Sequence, residues 1–390
     1  MSKIIDDIKN RPYPRLMGNQ WIIDEDGSLH NSDNETRLNF IAEHLDYITI
    51  NKYGDLFLDF QKSCIDSFQG LVRFKNDLLR KSLSLSRRVY VFPYHNMTDC
   101  WYYQSINSYP NESFWMQPDG QNIGTWDYMT NHDYWLSDTN NEIVTYPWGG
   151  YTNAQRRFWD SRISEVQEYW ANHAIGITMQ GFDGIFADNW LRSGVQNVDL
   201  PAIQNGWNTT GQKYKDLMPD KVLIGNSPAY SPFTSRDICM LEDRISPALT
   251  GDYSIPAYLT YSDNAASMNQ LCQDTYWDET KGELETFRLP MCLLTDNVFG
   301  VCGGTKQGRT LEDYILPILN KVGKIGTPTG DRYIDQDVLT RDYTEGKVIM
   351  NNTDSVKNIT LQAGVYKNID DRQVDVVELQ PLLGIILKKV

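Results

Sequence analysis

The sequence is short of positive charge, of paired cysteines and of long apolar runs, and each shortage removes a class of function. Across 390 residues, 36 Lys and Arg stand against 51 Asp and Glu, a formal net charge of -15. No basic block or basic helix face interrupts that acidity, so a phosphate backbone would be repelled and nucleic acid is not an expected partner. No run approaches the roughly 20 apolar residues that cross a bilayer, and the opening MSKIIDDIKNRPYP lacks the apolar stretch of a secretory leader. A membrane partner and Sec export are therefore not expected, which leaves the cytoplasm or release by another route.

Cys64, Cys100, Cys239, Cys272, Cys292 and Cys302 are scattered and form no CxxC pair. They read as reduced core thiols rather than zinc or redox ligands. The five histidines include no HxH or HExxH. No cofactor and no metal is expected from motifs of this kind.

What the chain does have is alternation. Short apolar, β-branched or aromatic runs recur through the first 300 residues, most followed by polar loops and helical periodicity. The expected strands are Arg15 to Gln20, Tyr47 to Lys52, Arg88 to Tyr94, Gly184 to Ala187, Lys221 to Gly225, Ile238 to Leu241, Gln270 to Tyr276 and Asn297 to Cys302. Eight is the number that a closed parallel barrel requires. Helices are expected over Asn153 to Asn172, behind a Thr152 or Asn153 cap, and over Leu311 to Val322.

From about Gly330 the texture changes to short strand-like runs, KVIMNNT, KNITLQ, GVYKNI and QVDVVELQ, separated by turn residues. The fold class is thus α/β: a (β/α)8 TIM barrel over residues 1–329 with a small C-terminal antiparallel, sandwich-like β-domain over 330–390. Residues 96–151 form a long insert rich in aromatics, Trp101 and Trp148 among them. Indole and phenol faces stack on sugar rings, so these residues either line a glycan cleft or build the insert's own small core.

In such a barrel the residues that reach the site stand at the C-terminal ends of strands. Here those ends carry Lys52 and Tyr53, His95, Asp188 with Asn189 and Trp190, Asn226, Glu242, and Asp274 with Tyr276. Asp188 and Glu242 lie two strands apart, consistent with the carboxyl separation of roughly 5 to 10 Å used to cleave a glycosidic bond. Asp188 alone could be a turn residue, but Glu is a poor turn former and ICMLE leads an apolar strand into Glu242. Asp183 precedes its strand, where a structural role is expected. Lys52, Tyr53, His95, Trp101, Trp148, Asn189, Trp190, Asn226, Asp274 and Tyr276 are candidate sugar-binding groups.

The stretches GFDGIFADNW, ICMLED, FRLPMCLLTDNVFG and RDYTEGKVIMNNT with the later GIILKK carry a family resemblance. The chain resembles the glycosyl-hydrolase-like family 15 barrels and is similar to the α-1,4-polygalactosaminidase type. The resemblance implies a glycosidase-like barrel with an acidic residue ending strand four, Asp188, and another ending strand six, Glu242. By analogy Asp188 is nucleophile or base and Glu242 general acid, or the reverse, and the partner is an oligo- or polysaccharide. For a polysaccharide-degrading chain without an export leader, assembly into a phage or virus particle is one route of delivery. The competing expectations are a non-catalytic glycan-binding or structural component of such an assembly, and a metal-assisted enzyme using Asp188, Glu242 and His95.

Overall fold

A computed structural model of the chain describes residues 2–21, 34–50, 64–97, 99–103, 125–147, 154–188, 197–226, 234–242, 245–275, 284–302 and 311–390. Eight strands close a barrel: β1 (Leu16–Trp21), β2 (Tyr47–Ile50), β3 (Tyr90–Asn96), β7 (Gly184–Asp188), β8 (Val222–Gly225), β9 (Ile238–Glu242), β10 (Leu271–Thr275) and β11 (Val298–Cys302). Each neighbours the next in chain order and β11 returns to β1, as the run of apolar segments predicts. The registered pairs are parallel, with Tyr94 beside Phe186, Ala187 beside Gly225, and Leu16 beside Phe299.

Helices alternate with these strands: α1 (Lys3–Lys9), α2 (Asn34–His44), α3 (Cys64–Ser84), α4 (Thr125–Asn131), α5 (Ser164–Met179), α6 (Leu200–Leu217), α7 (Ile255–Ser267), α8 (Leu289–Leu293) and α9 (Leu311–Val322). Their starts follow ordinary capping chemistry. Asp199 accepts the Ala202 amide at the start of α6, and Ser254 accepts that of Ala257 at the start of α7, each with a proline in the first turn.

The chain divides into two compact units, Met1–Ile4 with Gln20–Cys239, and Ile5–Asn19 with Met240–Val390. In the first, the entry to β7 is fixed from below. Asp183 accepts the Arg88 guanidinium at 2.7 Å and the Val91 amide at 2.9 Å. That is the structural role its place before the strand predicts. Gly184 follows at a φ of +156°, and a Cβ there would meet the Val222 carbonyl oxygen at 1.9 Å. Only glycine lets β7 and β8 approach this closely.

The insert and the residues just after it form a three-stranded antiparallel sheet in the order β4 (Asp99–Tyr103), β6 (Ala154–Phe158), β5 (Thr145–Pro147). This corrects the helix expected from Asn153. Residues 154–158 pair with β4 and β5, and α5 begins only at Ser164. Phe158, inside the span of that expected helix, is a buried strand residue, whereas Val166 and Tyr169 lie on the buried face of α5. No side chain caps α5 at Ile163, so the expected Thr or Asn cap has no counterpart at its observed start.

In the second unit, residues from Tyr333 onward form a five-stranded sheet, β12 (Tyr333–Asp335), β13 (Val338–Asp342), β14 (Gly346–Met350), β18 (Gly384–Lys389) and β16 (Tyr366–Lys367). A two-stranded sheet joins β15 (Lys357–Thr360) to β17 (Val376–Leu379). All registered pairs are antiparallel. Val338, Ile349, Ile359, Tyr366, Val377, Leu379 and Leu387 share one core. Alternation shows in β17, where Val377 and Leu379 are buried and Val376 and Glu378 exposed, whereas β13 and β14 are buried along nearly their whole length.

Candidate functional site

Asp188 closes β7 and is 1% exposed. Asn96 lies beside it in register, and one step earlier His95 lies beside Ala187. Successive side chains on a strand face opposite ways, so Tyr94, Phe186 and Asp188 share one face of the β3–β7 pair while His95 and Ala187 share the other. The contacts bear this out. The Tyr94 ring meets the Phe186 ring edge-on at 5.7 Å, and its hydroxyl donates to Asp188 Oδ2 at 3.0 Å.

The second oxygen is held from the other neighbouring strand. Asn226, the residue after β8, donates its side-chain amide to Asp188 Oδ1 at 2.6 Å, while its backbone amide donates to the Ala187 carbonyl at 3.0 Å. A carboxylate is acceptor-only when ionised, and here each oxygen receives a neutral donor. The group is thereby oriented by two strands at once, without a cation beside it in either of these bonds. Such a carboxylate can act as nucleophile, as base, or as a positioning acceptor for a hydroxyl.

The other expected site residues are placed differently. Glu242 ends β9, and its side chain lies outside the described residues. His95 faces α5, where its ring stacks on Trp170 at 5.1 Å with 15° between planes, and its centroid is 6.3 Å from that of His173. Burial first, and then His173, hold the His95 pKa well below the usual histidine value. Asp274 is fully buried and accepts the hydroxyl of Tyr258 on α7; the Asn297 side-chain amide donates to the same hydroxyl at 2.8 Å. His95 does not share the face of Tyr94 and Asp188, because strand alternation turns it toward α5.

Trp101 falls within β4, but its side chain lies outside the described residues, as do Lys52, Tyr53, Trp148, Asn189, Trp190 and Tyr276 altogether. Sequence reasoning named Asp188 as a catalytic candidate and Asn226 as a sugar-binding one; the structure joins the two by a hydrogen bond and adds Tyr94, which was missed. The available signal was the shared parity of Tyr94 and Asp188 on neighbouring barrel strands. Among the described residues no group of three or more His, Cys, Asp or Glu side chains is arranged to hold a metal ion, and no helix is long and apolar enough to cross a membrane.

No protein-family model and no curated protein matches the sequence. Solved structures do match the fold. Amy13B of Eubacterium rectale aligns over 99% of this chain and 99% of its own, with a TM-score of 0.54 at 12% identity. The type III pullulan hydrolase from Thermococcus kodakarensis aligns over 98% of this chain and 82% of its own, with a TM-score of 0.52 at 13% identity. The trehalose-6-phosphate hydrolase of Bacillus licheniformis aligns over 97% of this chain and 100% of its own, with a TM-score of 0.53 at 9% identity. At these identities the likeness is one of fold: a barrel of this kind followed by a C-terminal β-domain. None of the three is a polygalactosaminidase-type barrel, the type that the sequence motifs resemble.

Proposed function

We propose that the protein is a glycoside hydrolase acting on an oligo- or polysaccharide, with Asp188 and Glu242 as its carboxylate pair. The observation that carries this reading is the double anchoring of Asp188 by Tyr94 and Asn226 at the C-terminal end of a barrel strand. A turn or capping aspartate would bond to nearby backbone amides instead. Fold-level analogy with structures named as a pullulan hydrolase and a trehalose-6-phosphate hydrolase supports the same class and supplies no substrate.

In this reading Asp188, fixed in direction by Tyr94 and Asn226, attacks the anomeric carbon or takes a proton from the attacking water. Glu242 protonates the leaving glycosidic oxygen. The bond between the anomeric carbon and that oxygen breaks as the new bond to carboxylate or water forms. The reverse assignment of the two carboxylates obeys the same chemistry.

The test is a polysaccharide panel, amino-sugar polymers included, scored for new reducing ends. Asp188→Asn and Glu242→Gln should each lower turnover by about a thousandfold or more on whichever polymer is cleaved, with binding retained. Silence across the panel with binding retained would instead identify a non-catalytic glycan-binding protein. Full turnover in both variants would remove the carboxylate pair from the mechanism.

A further inference from the structure

Trp159 directly follows β6 and is 4% exposed. Its indole N–H donates to the Met97 backbone carbonyl at 2.6 Å, a bond with both ends buried. Met97 is the first residue after β3 and is itself fully buried. Its amide donates in turn to the Asp188 backbone carbonyl at 3.2 Å. Successive bonds thus run from the tryptophan ring to Asp188, with Met97 alone between them.

The register of β3 on β7 shows what these bonds do. Tyr94 lies beside Phe186, His95 beside Ala187 and Asn96 beside Asp188. The Met97 amide adds a bond beyond the last of these pairs, at the end of the ladder where strands open most readily. No other donor reaches the Met97 carbonyl among the described residues. A buried carbonyl that loses its donor keeps its desolvation cost, so without the indole N–H the chain at Met97 is driven to rearrange. Tyr94, which donates to the Asp188 carboxylate, stands on the same strand and would be disturbed with it.

The ring is braced from two sides. Trp159 forms an antiparallel bridge with Trp135, and the backbone bonds that flank it, Leu136 amide to Phe158 carbonyl and Asp160 amide to Tyr134 carbonyl, are each 2.8 Å. On α6 the Trp207 ring meets Trp159 edge-on at 6.2 Å, and the Ser161 hydroxyl donates to the Ile203 carbonyl at 2.7 Å. Since α6 is the helix that follows β7, the βα unit that carries Asp188 also braces the ring that holds it. Tryptophan suits this place because it joins a large apolar body to one donor and no acceptor.

We propose that Trp159 is a positioning residue for Asp188: by holding Met97, its indole N–H fixes the last rung between β3 and β7, and with it the direction of the carboxylate. This rests on the reading of Asp188 as a reacting carboxylate. It gives the sheet of β4, β6 and β5 a part in the reaction that needs no contact with the sugar.

Trp159→Phe tests this in the full chain, beside a benzothienyl analogue of tryptophan placed at the same position, which exchanges only the N–H for sulfur. The analogue keeps the shape of the ring and decides the matter if Trp159→Phe fails to fold. Hydrogen exchange should quicken about tenfold or more at the Met97 amide and stay at the parental rate at the Val91 amide, which Asp183 holds at the other end of β3. On a cleaved polysaccharide, turnover should fall about tenfold with KM within about twofold of the parent. Combined with Tyr94→Phe, the loss should be smaller than the product of the two separate losses, because both substitutions act through one carboxylate. A merely structural role would quicken exchange at both amides and give losses that multiply. That outcome overturns the proposal alone, as does unchanged exchange at Met97, or parental turnover at position 159 where Asp188→Asn has lost it. Full turnover in Asp188→Asn, or silence across the polysaccharide panel, removes the reading of Asp188 and this proposal with it.

Discussion

The side-chain amide of Asn226 donates to Asp188 Oδ1 at 2.6 Å across two adjacent barrel strands. The bond orients the carboxylate without neutralising it. Asn226→Asp keeps the shape and replaces the donor with a second carboxylate, and two carboxylates this close cannot both ionise freely. The acidic limb of the pH–rate profile on a cleaved polysaccharide should therefore move upward, with turnover near neutrality reduced about tenfold or more. An unmoved acidic limb would mean that Asp188 does not titrate in the rate-determining form of the enzyme.

Tyr94→Phe removes the other donor and leaves the ring packed on Phe186. Loss of a hydrogen bond to a buried carboxylate costs about 1 to 3 kcal/mol. Denaturant midpoints should fall accordingly, and turnover should fall more than KM rises, because the substitution alters the orientation of Asp188 rather than a substrate contact. A pure KM effect would place Tyr94 against the sugar instead.

Asp183 and Gly184 make a contrasting pair with Asp188 on the same strand. Asp183→Asn leaves the Arg88 charge without its partner and weakens the bond from the Val91 amide, at a cost of about 2 kcal/mol. Gly184→Ala drives a methyl group into the Val222 carbonyl and should cost more, about 3 kcal/mol or loss of soluble protein. Urea unfolding of both variants checks the order. A Gly184→Ala protein as stable as the parent would contradict the tight β7–β8 approach.

The barrel was legible because each of its strands is a local signal. GIFAD and ICMLE are apolar runs that end in a carboxylate, and neighbouring strands in the barrel are consecutive in the sequence pattern. AQRRF was not legible. Its strand pairs with Asp99–Tyr103 and Thr145–Pro147, and its two arginines carry no β-like alternation that would separate it from the start of α5. Asp188 could be found from its place at a strand end. Tyr94 was harder to find, because its parity with Asp188 matters only once the register between segments 94 residues apart is known. His95 and Asp274 show the converse limit: the end of a strand is visible in sequence, but which of its last two residues faces inward is set by the exact phase of the pleat.

His95 gives a pH dependence whose sign follows from its surroundings. Its ring is buried between β3 and α5, stacked on Trp170 and facing His173, and its pKa is held well below the ordinary 6.5, first by that burial and then by His173. In the folded protein the ring is neutral near pH 6, whereas in the unfolded chain it takes up a proton as pH falls through 6.5. Below that value the unfolded state binds more protons, so folding stability from this group is constant above about pH 7 and declines as pH falls, by at most about 1.4 kcal/mol per pH unit. His95→Phe retains a flat ring against Trp170 and cannot titrate. Its unfolding free energy should stay within about 1.5 kcal/mol of the parent at pH near 8, and should fall less steeply than the parent's between about pH 6.5 and 5. Urea titrations of both proteins at three pH values measure the difference in slope. Parallel slopes would show that protonation of His95 is not what the acid side of the stability curve reports.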